Sequence, residues 1–255
     1  MRIALWLGLL AVVCGCSSND GGSGGPGGAD GGPGTGGGGG GGGGGSGGDG
    51  GGQDRPAPLG EMQTGQATYY AANGGGNCSF DPSPGDLDVA AMNTEQYAGS
   101  QACGSCVSVR GPKGSVTVRI VDRCPECQRG HIDLSEQAFV KIAERNDGKV
   151  PITWQTVACN VTGNVAYHYK DGSSRDWTAI QVRNHRIPIR SLAVQTSSGV
   201  YVDATRENYN YFVVQKGTGP GPVKVRITAV DGQVLEDTLP PPSSDGDATG
   251  AGQFN

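Results

Sequence analysis

Between Val116 and Ile120 apolar side chains at every second position alternate with Thr117 and Arg119, the period of a strand with one face in a core. The strand runs into Asp122 and a tight Cys124-Pro-Glu-Cys127 corner. A second acid, Asp133, follows eleven residues after Asp122, at the mouth of a short helix. A Pro- and Gly-bearing turn brings the chain back between them, which can put both carboxylates on one groove floor. Further strands surround this unit. They are Gly65–Tyr70, with Thr68 and Tyr70 on one face, then Cys106–Val109, joined to Val116–Val121 through Gly111-Pro-Lys-Gly114, and Lys149–Val157, closing at Cys159. Asn93 caps a helical turn with Gln96 reaching back. Ser135 caps a helix running to about Arg145, with Phe139, Ile142 and Ala143 as its apolar stripe. Asp86–Met92 is apolar without a clear period. Many short strands and little helix predict a small barrel over residues 62–161.

After Thr162-Gly-Asn164 the short alternating segments continue: Val165–Tyr169, Trp177–Val182, Ile187–Val194, Tyr201–Asp203, Tyr211–Val214, Val223–Val230 and Gln233–Thr238. Turns fall at Gly172, Gly199 and Gly232. Val223, Val225 and Ile227 form one face of a strand; Lys224, Arg226 and Thr228 form the other. The pattern predicts an immunoglobulin-like sandwich over residues 163–239, docked on the barrel because so few residues separate the two. Residues 240–255 read as a disordered tail.

The front of the chain adds an address. Met1–Cys16 has one basic residue, Arg2, and an apolar run, Ile3–Val13, too short to cross a bilayer. It reads as a signal peptide. Val13-Cys14-Gly15-Cys16 looks like a lipobox with Cys16 lipidated, and Ser17-Ser18 resembles an outer-membrane sorting pattern; ordinary secretory cleavage is the alternative. Residues 17–61 read as a tether: Gly21–Gly52 holds 24 glycines in 32 residues and cannot bury a core. About 40 such residues span roughly 35 Å r.m.s.. The expected location is the outer membrane or cell surface, or the medium if the lipobox is unused.

The formal charge of −5 misleads, because residues 62–240 carry 17 Lys+Arg against 17 Asp+Glu. A neutral fold argues against nucleic acid, which needs a basic footprint. Of eight cysteines, Cys14 and Cys16 belong to the export signal. The other six, an even count in an exported chain, read as disulfides. CGSC and CPEC, both C-x-x-C, leave zinc as the alternative. Six cysteines allow 15 pairings, which the spacing does not resolve. No metal or organic cofactor is indicated.

VRIVDRCPECQRGHIDLS, preceded by CGSCVSVRGPKG, resembles the first domain of expansins and bacterial expansin-like proteins. VTGNVAYHYKDGSSRDWTAIQVRNHRIPI is similar to the bacterial expansin sandwich domain, so the resemblance spans nearly all of Gly65–Leu239. It implies a mainly β protein, a six-stranded double-psi β-barrel followed by the sandwich. The barrel is related to family 45 endoglucanases, barwin and rare-lipoprotein-A transglycosylases. The resemblance makes Asp133 the acid needed for wall loosening, matching the catalytic acid of those endoglucanases, and places Thr68 and Asp122 on the groove floor. Tyr70 is a polysaccharide-binding candidate on the same strand as Thr68. Cys124 stands where bacterial members often carry Tyr. Of three in-line aromatics on the family's sandwich two match, Trp177 and Tyr209; the third position holds Asp176. Lys170 matches a basic residue at the platform edge. Plant expansins imply the pairs Cys78–Cys103, Cys106–Cys159 and Cys124–Cys127.

Glycoside hydrolysis ordinarily needs two carboxyl groups across the scissile bond. In family 45 the base lies just past the first-strand Thr, and here Thr68–Ala72 contains no acid. The resemblance puts Asp122 beside Asp133 rather than opposite it. The site therefore reads as one that grips a glucan without cutting it. Structural readings stand beside this one: Asp133 can stabilise a helix N-terminus, Asp122 can end a strand at a turn, either aromatic can fill a core, and His131 reads as a strand or turn residue. The expectation is a monomeric, surface-tethered expansin-like protein that meets the membrane only through its lipid. It would bind cellulose, xyloglucan or peptidoglycan and loosen polymer contacts without hydrolysis. Two rivals remain, a peptidoglycan lytic transglycosylase, which needs only one acid, and a polysaccharide adhesion module.

Overall fold

The structure, a computed structural model, describes residues 58–255. The export segment, Cys16 and most of the predicted tether lie outside the described residues. Six strands close a barrel: β1 Gln63–Tyr70, β2 Val89–Asn93, β3 Cys106–Arg110, β4 Ser115–Cys124, β5 Ile132–Ser135 and β6 Val150–Val157. Their order round the barrel is β1-β5-β2-β4-β3-β6, with β6 returning to β1. The pairs β1–β5 and β2–β4 are parallel; the rest are antiparallel. Alternation drives the inside: Ala67, Val107, Val109, Val118, Ile120, Ile132 and Leu134 fill it, with Trp154 at one end. Gly65 and Gly130 let two backbones touch there, since a Cβ on Gly65 would lie 2.0 Å from the Gly130 carbonyl oxygen. The Gly130 carbonyl instead accepts from Trp154 Nε1 at 2.8 Å.

Among the described residues the two α-helices are one turn each. In α1, Thr94–Tyr97, Asn93 accepts from the Gln96 amide and donates to Gln96 Oε1. Ser135 caps α2, Glu136–Phe139, as expected, but the helix does not run on to Arg145. The Ile142 carbonyl is drawn off to the Lys113 amide of the β3–β4 hairpin at 2.8 Å. Phe139, Ile142 and Ala143 are buried by that turn-and-pack arrangement rather than by a longer helix.

Nine strands build the sandwich. One sheet, in order β11-β12-β8-β7-β15, comprises β7 Ala166–Tyr169, β8 Thr178–Arg183, β11 Thr205–Arg206, β12 Phe212–Val214 and β15 Asp247–Thr249. The other, in order β10-β9-β13-β14, comprises β9 Ile189–Gln195, β10 Tyr201–Asp203, β13 Val223–Ala229 and β14 Val234–Leu239. Tyr167, Ile180, Leu192, Phe212, Val225 and Ile227 pack between them.

Residues 240–255 are not a disordered tail. β15 pairs antiparallel with β7, Phe254 is 2% exposed in the sandwich core, and the Ala251 amide donates to Asp237 Oδ1 at 2.7 Å. Pro-, Ser- and Gly-rich composition concealed one short strand and one anchoring aromatic. The predicted tether is likewise too long by its last residues: Pro58 bridges to Val157, and the Leu59 amide donates to the Thr156 carbonyl at 2.8 Å.

The sandwich is docked on the barrel by polar contacts to the loop after β1 and to the segment after α1, where Ser100 Oγ donates to the Glu207 carbonyl at 2.7 Å. Gln181 Nε2 donates to the Cys78 and Ser79 carbonyls at 2.9 and 3.2 Å, Asn210 to Cys78 at 3.2 Å, and Arg183 pairs with Asp81 at 2.8 Å. Cys78–Cys103 fixes that loop to the barrel. Cys106–Cys159 and Cys124–Cys127 complete three disulfides and leave none of these six thiols for zinc.

Candidate functional site

Four residues line up across four adjacent strands. Thr68 of β1 pairs with Asp133 of β5, Asp133 with Ala91 of β2, and Ala91 with Asp122 of β4. Cross-strand partners project to the same side of a sheet, here the outer face of the barrel. Asp133 therefore sits in a strand, not at a helix mouth, and the cap role belongs to Ser135. Asp122 reaches this face through a bulge. By alternation with Val116, Val118 and Ile120 it should point inward. The ladder slips between Ala90↔Ile120 and Ala91↔Asp122, leaving Val121 as the extra, buried residue. A bulge of this kind re-aims the following side chain.

The acids are held differently. Asp122 Oδ1 accepts from the Asn77 and Arg123 amides at 2.7 and 2.8 Å. Gly76 passes so close that a Cβ there would lie 2.4 Å from Asp122 Cγ. Asp133 Oδ1 accepts from Thr68 Oγ1 at 2.5 Å, and Thr68 Oγ1 lies 2.9 Å from His131 Nε2. With Asp133 ionised, His131 donates to Thr68 and Thr68 to Asp133. His131 is thus a member of the site and not merely a turn residue. Its signal in the sequence was its place two residues before Asp133, on the same face of the chain.

Burial raises the Asp133 pKa above the ordinary carboxylate value; the Thr68 hydrogen bond and His131 oppose the rise, while Glu126 and Asp122 add to it. Burial lowers His131, with Asp133 pulling the other way. Glu126, exposed on the Cys124–Cys127 corner, is a third carboxylate close enough for both groups to feel, and no motif in the sequence marks it. Tyr70 packs with Ala91 against the Cys124–Cys127 disulfide, so the floor between the acids is aromatic and apolar. Burial, then Asp122 and Asp133, push the Tyr70 phenol far above its usual value.

The second cluster lies on the outer face of the five-stranded sheet. Trp177 and Tyr209, both half-buried, pack with Tyr211 over Ala179 and Val213. The Tyr209 and Tyr211 ring centroids are 5.9 Å apart, and Lys170 Nζ is 6.0 Å from the Tyr211 centroid. Tyr211, only 4% exposed, supports this platform from beneath. Its place two residues beyond Tyr209 was the readable signal. Asp176 is exposed beside Trp177. Asn77 joins the two clusters: its amide holds Asp122, and its side chain donates to the Asn208 carbonyl at 3.0 Å, next to Tyr209. Tyr97 donates to the same carbonyl at 2.8 Å.

Among the described residues no group of three or more His, Cys, Asp and Glu could hold a metal ion. A family model described as lytic transglycolase matches residues 62–154. Expansin-YoaJ of Bacillus subtilis is 41% identical over 189 residues, 72% of this chain and 81% of that protein. The crystal structure of an apo expansin from Clavibacter michiganensis matches with a TM-score of 0.71 at 32% identity, covering 76% of this chain and 98% of that one. A mutant of the same expansin, in complex with cellohexaose, matches with the same figures. On this similarity across both domains, the chain belongs to the expansin family.

Proposed function

We propose that this protein binds cell-wall polysaccharide along the Thr68–Asp122 groove and the Trp177–Tyr209 platform, and loosens contacts between polymer chains without hydrolysing them. The observation that carries the reading is the row through Ala91. Asp122 and Asp133 rise from one sheet surface, so neither stands across a bound sugar from the other. Two strand spacings, about 10 Å between backbones, leave a carboxylate separation that an inverting pair could use; orientation is what argues against it. Asp122 is further committed to two backbone amides. The platform supports the ligand class, since half-buried aromatic rings offer apolar faces to the C–H faces of sugars. The Clavibacter expansin solved with cellohexaose supports a β-glucan among the ligands. Such a polymer lies outside the cell, so the reading requires export, with Cys16 the candidate for lipidation.

A second reading is favoured by one observation. The family model over the barrel is described as lytic transglycolase, and that chemistry needs only one proton donor, a task suited to an acid whose pKa is raised. The test is to incubate the purified protein with cellulose, xyloglucan and peptidoglycan. Softening of filter paper that is lost in Asp133→Asn, with no new reducing ends, supports loosening. Steady Asp133-dependent release of anhydro-muropeptides would replace it with the lytic reading. Release of reducing ends lost in Glu126→Gln would make Glu126 the missing base.

A further inference from the structure

A separate cleft of about 310 Å³ opens at the seam between barrel and sandwich. Arg119 of β4 and the loop residues Phe80, Asp81 and Ser83 face Arg183 and His185 of the sandwich across it. Its volume lies at the lower end of the range for small-molecule pockets, roughly 300–1,000 Å³. The cleft is distinct from the Asp133 groove, and no residue of the groove or platform lines it.

Its charges do not balance. Arg183 pairs with Asp81 at 2.8 Å and donates to Gln181 Oε1 at 2.5 Å, so those two opposite charges satisfy each other. Arg119 has no carboxylate partner among the described residues. Its Nε is buried without a hydrogen-bond partner, and its Nη2 reaches only the Ser83 hydroxyl, at 3.5 Å. The guanidinium is held over the Phe80 ring, 5.4 Å from its centroid. A half-buried guanidinium carries five N–H donors in a fork that matches a carboxylate. Leaving it unpaired is costly, and an arriving anion relieves that cost. The opposite wall offers an acceptor. His185 Nδ1 donates to the Ile187 carbonyl at 3.0 Å, so in the neutral ring Nε2 is a free lone pair. One cationic fork, one hydroxyl, one neutral acceptor and one aromatic face suit an acidic sugar better than a bare anion, which would use none but the first two.

We propose that this cleft binds a single carboxylated sugar residue, a uronate or the lactyl acid of a muramic acid, through Arg119. From the proposed function it takes only the class of polymer. The test is isothermal titration of the full chain with galacturonate, its methyl ester and galactose, and in parallel with N-acetylmuramic acid and N-acetylglucosamine. The expected result is that at least one acid binds at least tenfold more tightly than its neutral counterparts. Arg119→Gln should remove that preference while leaving retention on cellulose unchanged. The arm that binds more tightly identifies which acid the site takes. Equal binding of acid and neutral counterparts in both arms, or wild-type acid binding by a folded Arg119→Gln, overturns the proposal. If that variant does not fold, the acid-versus-neutral contrast in the two arms on the wild type decides alone. Failure of the wild type to be retained on cellulose would strike the platform reading and leave this one standing.

Discussion

Asp133 and Asp122 share a neighbour: Ala91 pairs with the first on one side of β2 and with the second on the other. Equivalent placement gives them unequal chemistry. Asp122 accepts from two backbone amides. Asp133 has a single hydroxyl donor, and burial raises its pKa. One acid thus positions the loop at Asn77; the other keeps a single hydroxyl partner and is the one that, under the proposed function, would share a proton with a glycan hydroxyl.

This difference predicts that Asp133 weakens the fold where it works. Its folded pKa lies above its unfolded one, so the folded chain holds a proton that the unfolded chain has already released. Its stabilising contribution is therefore present at low pH and lost as pH rises through the folded pKa. Asp133→Asn removes the buried charge and keeps an oxygen for the Thr68 hydroxyl. At pH 7 the variant should melt a few degrees higher than wild type, the size of a gain of about 1 kcal/mol in a chain this long. Solvent screening of the half-buried group keeps the gain small. The advantage should shrink as pH falls through the folded pKa and be gone below the unfolded value of 3.8. A variant less stable than wild type at pH 7 would contradict the assignment.

Under the proposed function the cluster divides into two rings that would touch ligand, Trp177 and Tyr209, and one beneath them, Tyr211. Trp177→Ala and Tyr209→Ala should each weaken retention on cellulose by about 1 kcal/mol, roughly fivefold, with little loss of stability. Tyr211, 4% exposed, should behave as core. Tyr211→Ala should cost several kcal/mol of stability, about 3–5 by comparison with other buried aromatics. Pull-down and urea melts on the three variants separate the two roles. Equal stability losses at all three would remove the distinction.

Much of this was legible because it is periodic. Val116, Val118 and Ile120 alternate, and they became β4; Asn93 and Ser135 were readable as caps from their side-chain oxygens. What escaped is whatever breaks a period or depends on a distant partner. The Val121 bulge carries Asp122 to the outer face, and nothing in one strand's own pattern marks where a partner strand will slip. The segment after α2 is held by Lys113, far back in the chain, whose amide takes the Ile142 carbonyl. Thr68 and Asp133 were readable as candidates through the family resemblance, but His131 joined them only when β1 and β5 were laid side by side. Arg119 alternated correctly to an outer face; that its guanidinium lacks a partner emerges only once the sandwich docks.

The seam should also make the protein acid-labile. His185, 4% exposed, has its pKa pushed down to about 4, first by burial and then by the Arg206 and Arg119 charges, against the Ile187 hydrogen bond. The unfolded histidine, near 6.5, takes up a proton that the folded one refuses. Stability should therefore fall as pH drops from about 6.5 to about 4 and then level off, by on the order of 3 kcal/mol from this group. Asp133 acts with the opposite sign, so the clean measurement is a difference. Urea unfolding of wild type and His185→Gln at pH 7, 5.5 and 4 should give curves that converge towards acid, because Gln keeps an amide donor for Ile187 and never charges. Parallel curves would mean that His185 is protonated or solvated in the folded chain.

The C-terminal segment offers the sharpest contrast between composition and contact. If residues 240–255 were a tail, Phe254→Ala would be silent. With Phe254 2% exposed between the sheets, the substitution should cost about 3–5 kcal/mol, on the order of 10 °C in Tm. Ending the chain after Pro240 should cost more. It strips β7 of its β15 partner, removes Asp247 and Asp245 from His168 at 2.9 and 3.4 Å, and takes the Ala251 amide from Asp237. Asp237, 8% exposed, would keep only the Tyr167 hydroxyl at 2.6 Å, leaving a buried carboxylate short of a donor. Calorimetry of the two variants tests this directly. Asp237→Asn in the truncated chain should recover part of the loss if the stranded carboxylate is its cause, and none of it if the missing strand alone is responsible.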